Sequence, residues 1–233
     1  MIDLRPFASL GHADHGWLDA RHHFSFAGYH DPQRMGWGRL RVWNDDSIAA
    51  GAGFPPHGHR DMEIITYARA GAISHRDSLG NEGRTDAGSI QVMSAGTGIQ
   101  HSEFNREAEE TRIFQIWIEP DAPGGDPFWA TRTLSVHDGD GQAIVASGYD
   151  EDIDAGALPI RAAARVGAIN LSAGASTTLP GAADRYLYLV ADRGRYSVNG
   201  HDIAARDGVA IRGEERLTVR ADEDLVLLSV DTL

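Results

Sequence analysis

Cysteine is absent from the 233 residues, and so is lysine. Without a thiol there is no disulfide, thiolate nucleophile, iron–sulfur cluster or cysteine-held zinc, so the eleven histidines must carry any transition-metal chemistry. Positive charge is also scarce. The 21 cationic residues, all arginine, face 34 Asp plus Glu, for a formal charge of −13. That field repels polyanions and argues against nucleic acid as a partner. Its ordinary consequence is solubility. No apolar run approaches the roughly 20 residues of a membrane span. The opening MIDLRPFASLG lacks the cationic start and apolar stretch of a secretion signal. No membrane association is expected, and a cytoplasmic protein follows by default.

Helical periodicity is sparse too, confined to possible short turns near Trp17–His22 and Arg161–Arg165. What is present is the pattern of an all-β protein. Apolar residues make up 42% and charged residues 24%, which supports a packed core. Turn signals recur every ten or so residues between short segments rich in Val, Ile, Thr and aromatics. Strands are expected at Leu40–Trp43, Met62–Ala68, Ala72–Arg76, Ile90–Ser94, Arg112–Glu119, Tyr186–Ala191, Tyr196–Val198, Gly208–Ile211, Leu217–Arg220 and Leu225–Val230. Asn199-Gly200 after an alternating run predicts a tight hairpin.

Between Pro120 and Pro127, three prolines and two glycines cannot continue a central strand, so a link between two β units is expected there. This divides the chain into residues 1–126 and 127–233. The acidic stretch His137–Asp154 reads as a solvated surface turn; Asp138-Gly139-Asp140-Gly141 lacks the later ligands of a calcium loop. The halves share a weak repeat. Glu63–Ala70, Gly71 and the strand after it correspond to Arg185–Arg193, Gly194 and its successor.

The informative stretch is Gly51-AGFPP-His57-Gly58-His59-RDM-Glu63, followed by Gly88-SIQVMSAGTGIQ-His101-Ser102-Glu103-Phe104-Asn105. Residues two apart on a strand share a face, so His57 with His59 and His101 with Glu103 form two pairs, each aimed one way. Two such strands facing each other bring three imidazoles and one carboxylate to one point, a donor set that suits a divalent first-row metal. The alternative is that these are barrel histidines bonded to backbone.

These spacings resemble the two signature motifs of the cupin superfamily. Gly51, His57, His59 and Glu63 fall in place in the first. In the second, Gly88 and the His101 to Asn105 ending match, with two extra residues before His101 and Ser94 where proline is usual. The strings MSAGTGIQHSE (Met93–Glu103), RHHFSFAGYHDP (Arg21–Pro32), LRVWNDD (Leu40–Asp46) and HRDMEIITY (His59–Tyr67) resemble the pirin family, in particular bacterial members assigned quercetin 2,3-dioxygenase activity.

The resemblance implies a bicupin of two stacked β-barrels, with one divalent transition metal, iron, on His57, His59, His101 and Glu103 of the N-terminal barrel. Manganese, nickel, copper and zinc suit the same donors. Glu63 is expected to be structural or to support the ligands, because in pirins the carboxylate comes from the second motif. With Gly71 aligned to Gly194, the positions equivalent to His57 and His59 are Pro180 and Ala182, so a metal-free C-terminal barrel is expected; His201 reads as exposed.

Among the other residues, the resemblance places Arg21–Pro32 near the barrel mouth, with Phe24 and Phe54 as gate candidates, whereas His22, His23 and His30 beside Phe24, Phe26 and Tyr29 read by themselves as a core-edge strand. His75 reads as exposed or supporting, Met93 and Phe114 as core, and Arg60 and Asp61 as groups that either orient ligands or pair at the surface. Two functions follow from the resemblance. One is an enzyme that opens a flavonol-type ring with O2, with Glu103 as base. The other is a metal-containing redox sensor that docks on a protein partner. Ligands and fold alone do not fix the reaction.

Overall fold

The computed structural model describes residues 1–134, 140–181 and 183–233, which form two compact units. The first holds residues 11–134 and 158–162; the second holds residues 1–10, 135–157 and 163–233. Each is built from antiparallel strands that alternate inward apolar and outward polar residues, the pattern expected from the sequence.

In the first unit one sheet runs Phe128–Thr133, Ser89–Ser94, Glu63–Ala70, Thr111–Ile118, Leu40–Ile48, Leu18–His22, Gly11–Asp14. The other runs Gly53–His59, Ile99–Phe104, Ala72–Asp77, Glu82–Asp86. Leu18, Ala20, Ile48, Ile73 and Ile113 pack into one core cluster, and Ile64, Met93, Ala95 and Ile99 into another. Met93 and Phe114 are buried, as core residues should be.

The second unit repeats the scheme. Ile2–Arg5, Gly208–Ile211, Tyr186–Arg193, Leu225–Thr232, Arg165–Leu171 and Gly141–Ser147 follow one another in one sheet, and Ser176–Pro180, Arg216–Ala221, Tyr196–Val198 and His201–Ile203 in the other. Its core surrounds Tyr196, Leu189, Val209, Val219 and Leu227. Gly71 and Gly194 occupy the same place in the two units, each with positive φ between consecutive strands. At Asn199-Gly200 both residues have positive φ (48° and 82°), the requirement of the expected hairpin turn.

All ten expected strands are present, most of them longer than the sequence suggested. Trp17–His22 is not helical. Leu18–His22 is a strand with Leu18, Ala20 and His22 turned inward, because pairing with Ile48 to Asn44 outweighs a one-turn helical pattern. Arg161–Arg165 is not helical either; its last residue opens the strand Arg165–Leu171, and among the described residues the α-helix is Asp150–Asp154.

The proline-rich stretch lies within the first unit, where Gly125 accepts from the Thr97 N–H and Gly124 donates to Asp61 Oδ1. The chain then adds Phe128–Thr133 to the edge of the first sheet, and Ile2–Arg5 pairs with Gly208–Ile211 of the second unit. The units therefore part after Leu134, not after residue 126, and the first ten residues go with the second unit. Loop composition marks where a sheet is left, not which sheet the next strand joins. Of the calcium-like loop, Asp138 and Gly139 lie outside the described residues, as does Ala182.

Candidate metal centre

Gly53–His59 is an edge strand, which lets Pro55 and Pro56 sit in it without breaking a ladder on both sides. It pairs with Ile99–Phe104 so that His57 lies directly opposite His101. The register shifts between His101 and Glu103, which puts Glu103 opposite Phe54. Gly53 makes this approach possible: a Cβ there would stand 2.3 Å from the Glu103 carbonyl oxygen. On its other side Ile99–Phe104 pairs with Ala72–Asp77, placing His75 beside Glu103.

The three histidines converge. One ring nitrogen from each of His57, His59 and His101 lies within 4.8 Å of the others. His57 Nδ1 is 2.8 Å from the Pro55 carbonyl, an acceptor only, so Nδ1 carries the proton and Nε2 keeps its lone pair. That Nε2 stands 3.1 Å from Nε2 of His101, and Nε2 of His59 is buried with no hydrogen-bond partner. Burial, reinforced by the neighbouring histidines, lowers His101 to about 2 and His59 to about 4, so both rings are neutral donors at physiological pH. Two ring nitrogens in contact and an orphaned ring nitrogen are what a cation would satisfy. The donor set fits a divalent first-row metal.

Glu103 belongs to a second, overlapping group: its carboxylate lies within 4.8 Å of ring nitrogens of His101 and His75. It is buried, and both oxygens are held. Gln91 Nε2 donates to Oε1, Gln115 Nε2 to Oε2 at 2.9 Å, and Thr66 Oγ1 to Oε1 at 3.4 Å. Burial pushes Glu103 up to about 7 against those three donors. The structure thus gathers His57, His59 and His101 at one point and sets Glu103 beside His101.

Of the two expectations for His75, exposed or supporting, the first does not hold: it is buried, its ring lies flat on Trp129 (4.8 Å, 8°), and its Nε2 is 3.0 Å from Asp77 Oδ2. Trp129 and Trp117 donate to Gln91 and Gln115, so the signal for these groups lies in strands distant in sequence. Glu63 lies outside both groups and accepts from Ser94 Oγ at 2.8 Å. Asp61 holds Gly124, and orients no histidine. His201 is exposed.

A cavity of about 390 Å3 adjoins the site, lined by His22, Phe26, Tyr29, Asn44, Asp46, Phe54 and Gln115 among others. Phe54 reaches the histidines, with its ring centroid 6.3 Å from that of His57. Of the two expected gate residues, Phe24 is buried away from this cavity, at 1% exposure; its neighbour two positions on, Phe26, lines it instead. In the second unit Pro180 borders a separate cavity of about 310 Å3 with Ile144, Ile169, Leu179 and Leu187.

Two cupin-type units, one carrying a histidine cluster with the donors of a metal centre, define the class. The Pirin family pattern matches residues 4–118, and the pattern of the Quercetinase C-terminal cupin domain matches residues 136–232. The chain is 56% identical to the Pirin-like protein of Caulobacter vibrioides, over 99% of each chain. It is 40% identical to the Quercetin 2,3-dioxygenase of Escherichia coli K12, over 99% of this chain and 98% of that one. Among solved structures, the bacterial pirin YhhW of Escherichia coli in complex with nickel(II) superposes with a TM-score of 0.94 at 40% identity, covering 100% of this chain and 99% of that one. The chain belongs to the pirin family.

Proposed function

We propose that this protein is a metal-dependent dioxygenase that opens the heterocycle of a flavonol-type substrate, putting both atoms of O2 into the products and releasing carbon monoxide. The observation that carries the reading is the pairing of three converging histidines with a buried, amide-held carboxylate beside an aromatic-lined cavity. The name of the Escherichia coli relative points the same way.

His57, His59, His101 and Glu103 would hold one divalent metal per chain, with iron the ion implied by family resemblance. The metal would supply a Lewis acid that lowers the pKa of a bound hydroxyl, and a centre for oxygen chemistry. The chain's own residues do the rest. Glu103, buried and held ionised by the metal it would bind, would receive the proton of the substrate hydroxyl. Gln91 and Gln115 fix its two oxygens, so it accepts that proton without swinging away. Phe26, Phe54 and Tyr29 offer flat apolar walls to a planar ring system and keep water from it.

The test is oxygen uptake by metal-loaded protein given quercetin, with carbon monoxide and ring-opened product measured together. Stoichiometric loss of O2 and gain of CO is the expected result. Retained metal with no oxygen uptake from any flavonol would overturn the enzyme reading and leave a metal-containing binding module.

A further inference from the structure

Asp46 is the one carboxyl among the residues lining the 390 Å3 cavity, and it has no evident job there. It sits on the inward face of Leu40–Ile48, two rungs from the one shared by Asn44 and Gln115, and its pairing neighbours are Ala20 and Ile113. The residue is 2% exposed, and its Oδ1 is buried with no hydrogen-bond partner. The adjacent Asp45, on the opposite face of the strand, is answered by Arg69 at 2.6 Å; Asp46 has no such cation. A buried polar atom without a partner is costly, and folding alone gives no reason to keep it.

The cavity around it supplies the reason. Its walls are flat: the His22 ring lies 5.4 Å from Phe26 and 6.3 Å from Tyr29, and Phe54 closes another side. Burial and the like charges of Asp45, Glu103 and Asp19 push the Asp46 carboxyl well above the usual carboxylate range. An acid that keeps its proton can both donate and accept, which suits a neutral hydroxyl better than a cation.

We propose that Asp46 binds a phenolic hydroxyl on the ring of the ligand that enters this cavity, and so selects polyhydroxylated flavonols over bare ones. The inference rests on the flavonol reading of the same site and adds a specificity residue to it. Asp46 belongs to neither group of candidate metal-binding residues and is given no part in the proton transfer assigned to Glu103.

The test compares two probes that share the 3-hydroxy-4-keto group and differ only in ring hydroxyls: quercetin and 3-hydroxyflavone. Their dissociation constants are measured anaerobically on purified protein from the flavonol absorption band. Wild type should prefer quercetin by about tenfold, or 1.4 kcal/mol. Asp46→Leu should bring the ratio to about one, through weaker quercetin binding and not through tighter 3-hydroxyflavone binding. Asp46→Asn, which keeps hydrogen-bonding capacity, should lie between the two.

Because Oδ1 has no partner to lose, both variants should melt no lower than wild type. A variant that unfolds shows Asp46 to be structural and overturns the proposal. A quercetin preference unchanged in Asp46→Leu overturns it while leaving the dioxygenase reading intact. A wild type that binds neither flavonol overturns both.

Discussion

Gln115 donates its side-chain N–H to Glu103 Oε2 at 2.9 Å, and its own carbonyl oxygen accepts from the Trp117 indole at 3.2 Å. An indole can only donate, so Trp117 fixes which end of the Gln115 amide faces the carboxylate. Gln91 repeats the arrangement at the other oxygen, with Thr85 and Trp129 donating to its carbonyl. Glu103 is thus held by two amides that cannot flip without orphaning an indole.

Gln115→Leu should therefore act on the proton and not on the metal. Losing a donor to the charged form raises the pKa of a carboxyl, so the acidic limb of the pH–rate profile should move to higher pH. Turnover at pH 7 should fall by about tenfold, in line with roughly 1.5 kcal/mol for a hydrogen bond to a charged group. Metal content by elemental analysis should stay at the wild-type level. Loss of metal in this variant would show that Gln115 shapes the ligand cluster instead.

His101→Ala should lose the metal and keep the fold. The strand that carries His101 is paired on both sides, with Gly53–His59 and Ala72–Asp77, and the apolar clusters of this unit do not depend on an ion. Far-ultraviolet circular dichroism should match wild type while bound metal falls to background. A variant that unfolds, or a wild type that chelators unfold, would show that the ion holds the strands together.

The same local alternation that makes these experiments designable made the histidines legible in the sequence. His57 and His59, and likewise His101 and Glu103, share a face because strands repeat every two residues, and the glycines mark where those strands begin. The supports were not legible. His75 is buried because Trp129 lies on it, and Trp129 arrives from an edge strand beyond a proline-rich loop that reads as a boundary. The strand expected at Leu40–Trp43 stops short of Asn44-Asp45-Asp46, yet it runs on to Ile48, and Arg69 answers Asp45 on one face while Asp46 turns into the barrel on the other. Leu18–His22 looks briefly helical, and only its pairing with Leu40–Ile48 decides otherwise. In each case the missing information is a contact between residues far apart in the chain.

Access to the site separates two phenylalanines that the sequence treats alike. Phe54 is partly exposed and lines the cavity next to His57, so Phe54→Ala should raise the apparent KM for quercetin several-fold, with metal content and melting temperature near wild type. Phe24 is buried, and truncating a buried phenylalanine costs about 3–5 kcal/mol. Phe24→Ala should therefore appear as a loss of thermal stability. Steady-state kinetics paired with calorimetry on both variants reads the distinction, and a KM effect at Phe24 without destabilisation would contradict it.

Glu103→Gln tests the base and the burial together. The variant keeps a carbonyl oxygen and all three histidines, so metal should be retained, while turnover should fall by about 10²–10⁴, the usual worth of a general base. Part of that loss should return at higher pH, where the flavonol ionises unaided. Without metal, the same substitution has a second signature. Glu103 has its folded pKa raised to about 7 from an ordinary 4.5, so the protonated acid is favoured in the folded protein. The stability this contributes is fully present below about pH 4.5 and is lost as pH rises through about 7. Glutamine does not titrate, and any fixed cost of presenting its amide to Gln91 or Gln115 is the same at every pH. Between pH 4 and pH 8, wild type should therefore lose on the order of 3 kcal/mol relative to Glu103→Gln, about 1.4 kcal/mol per pH unit over that shift. Chemical denaturation of both metal-free proteins at the two pH values measures it. A difference that does not change with pH would mean that Glu103 titrates as an ordinary carboxylate in the metal-free protein.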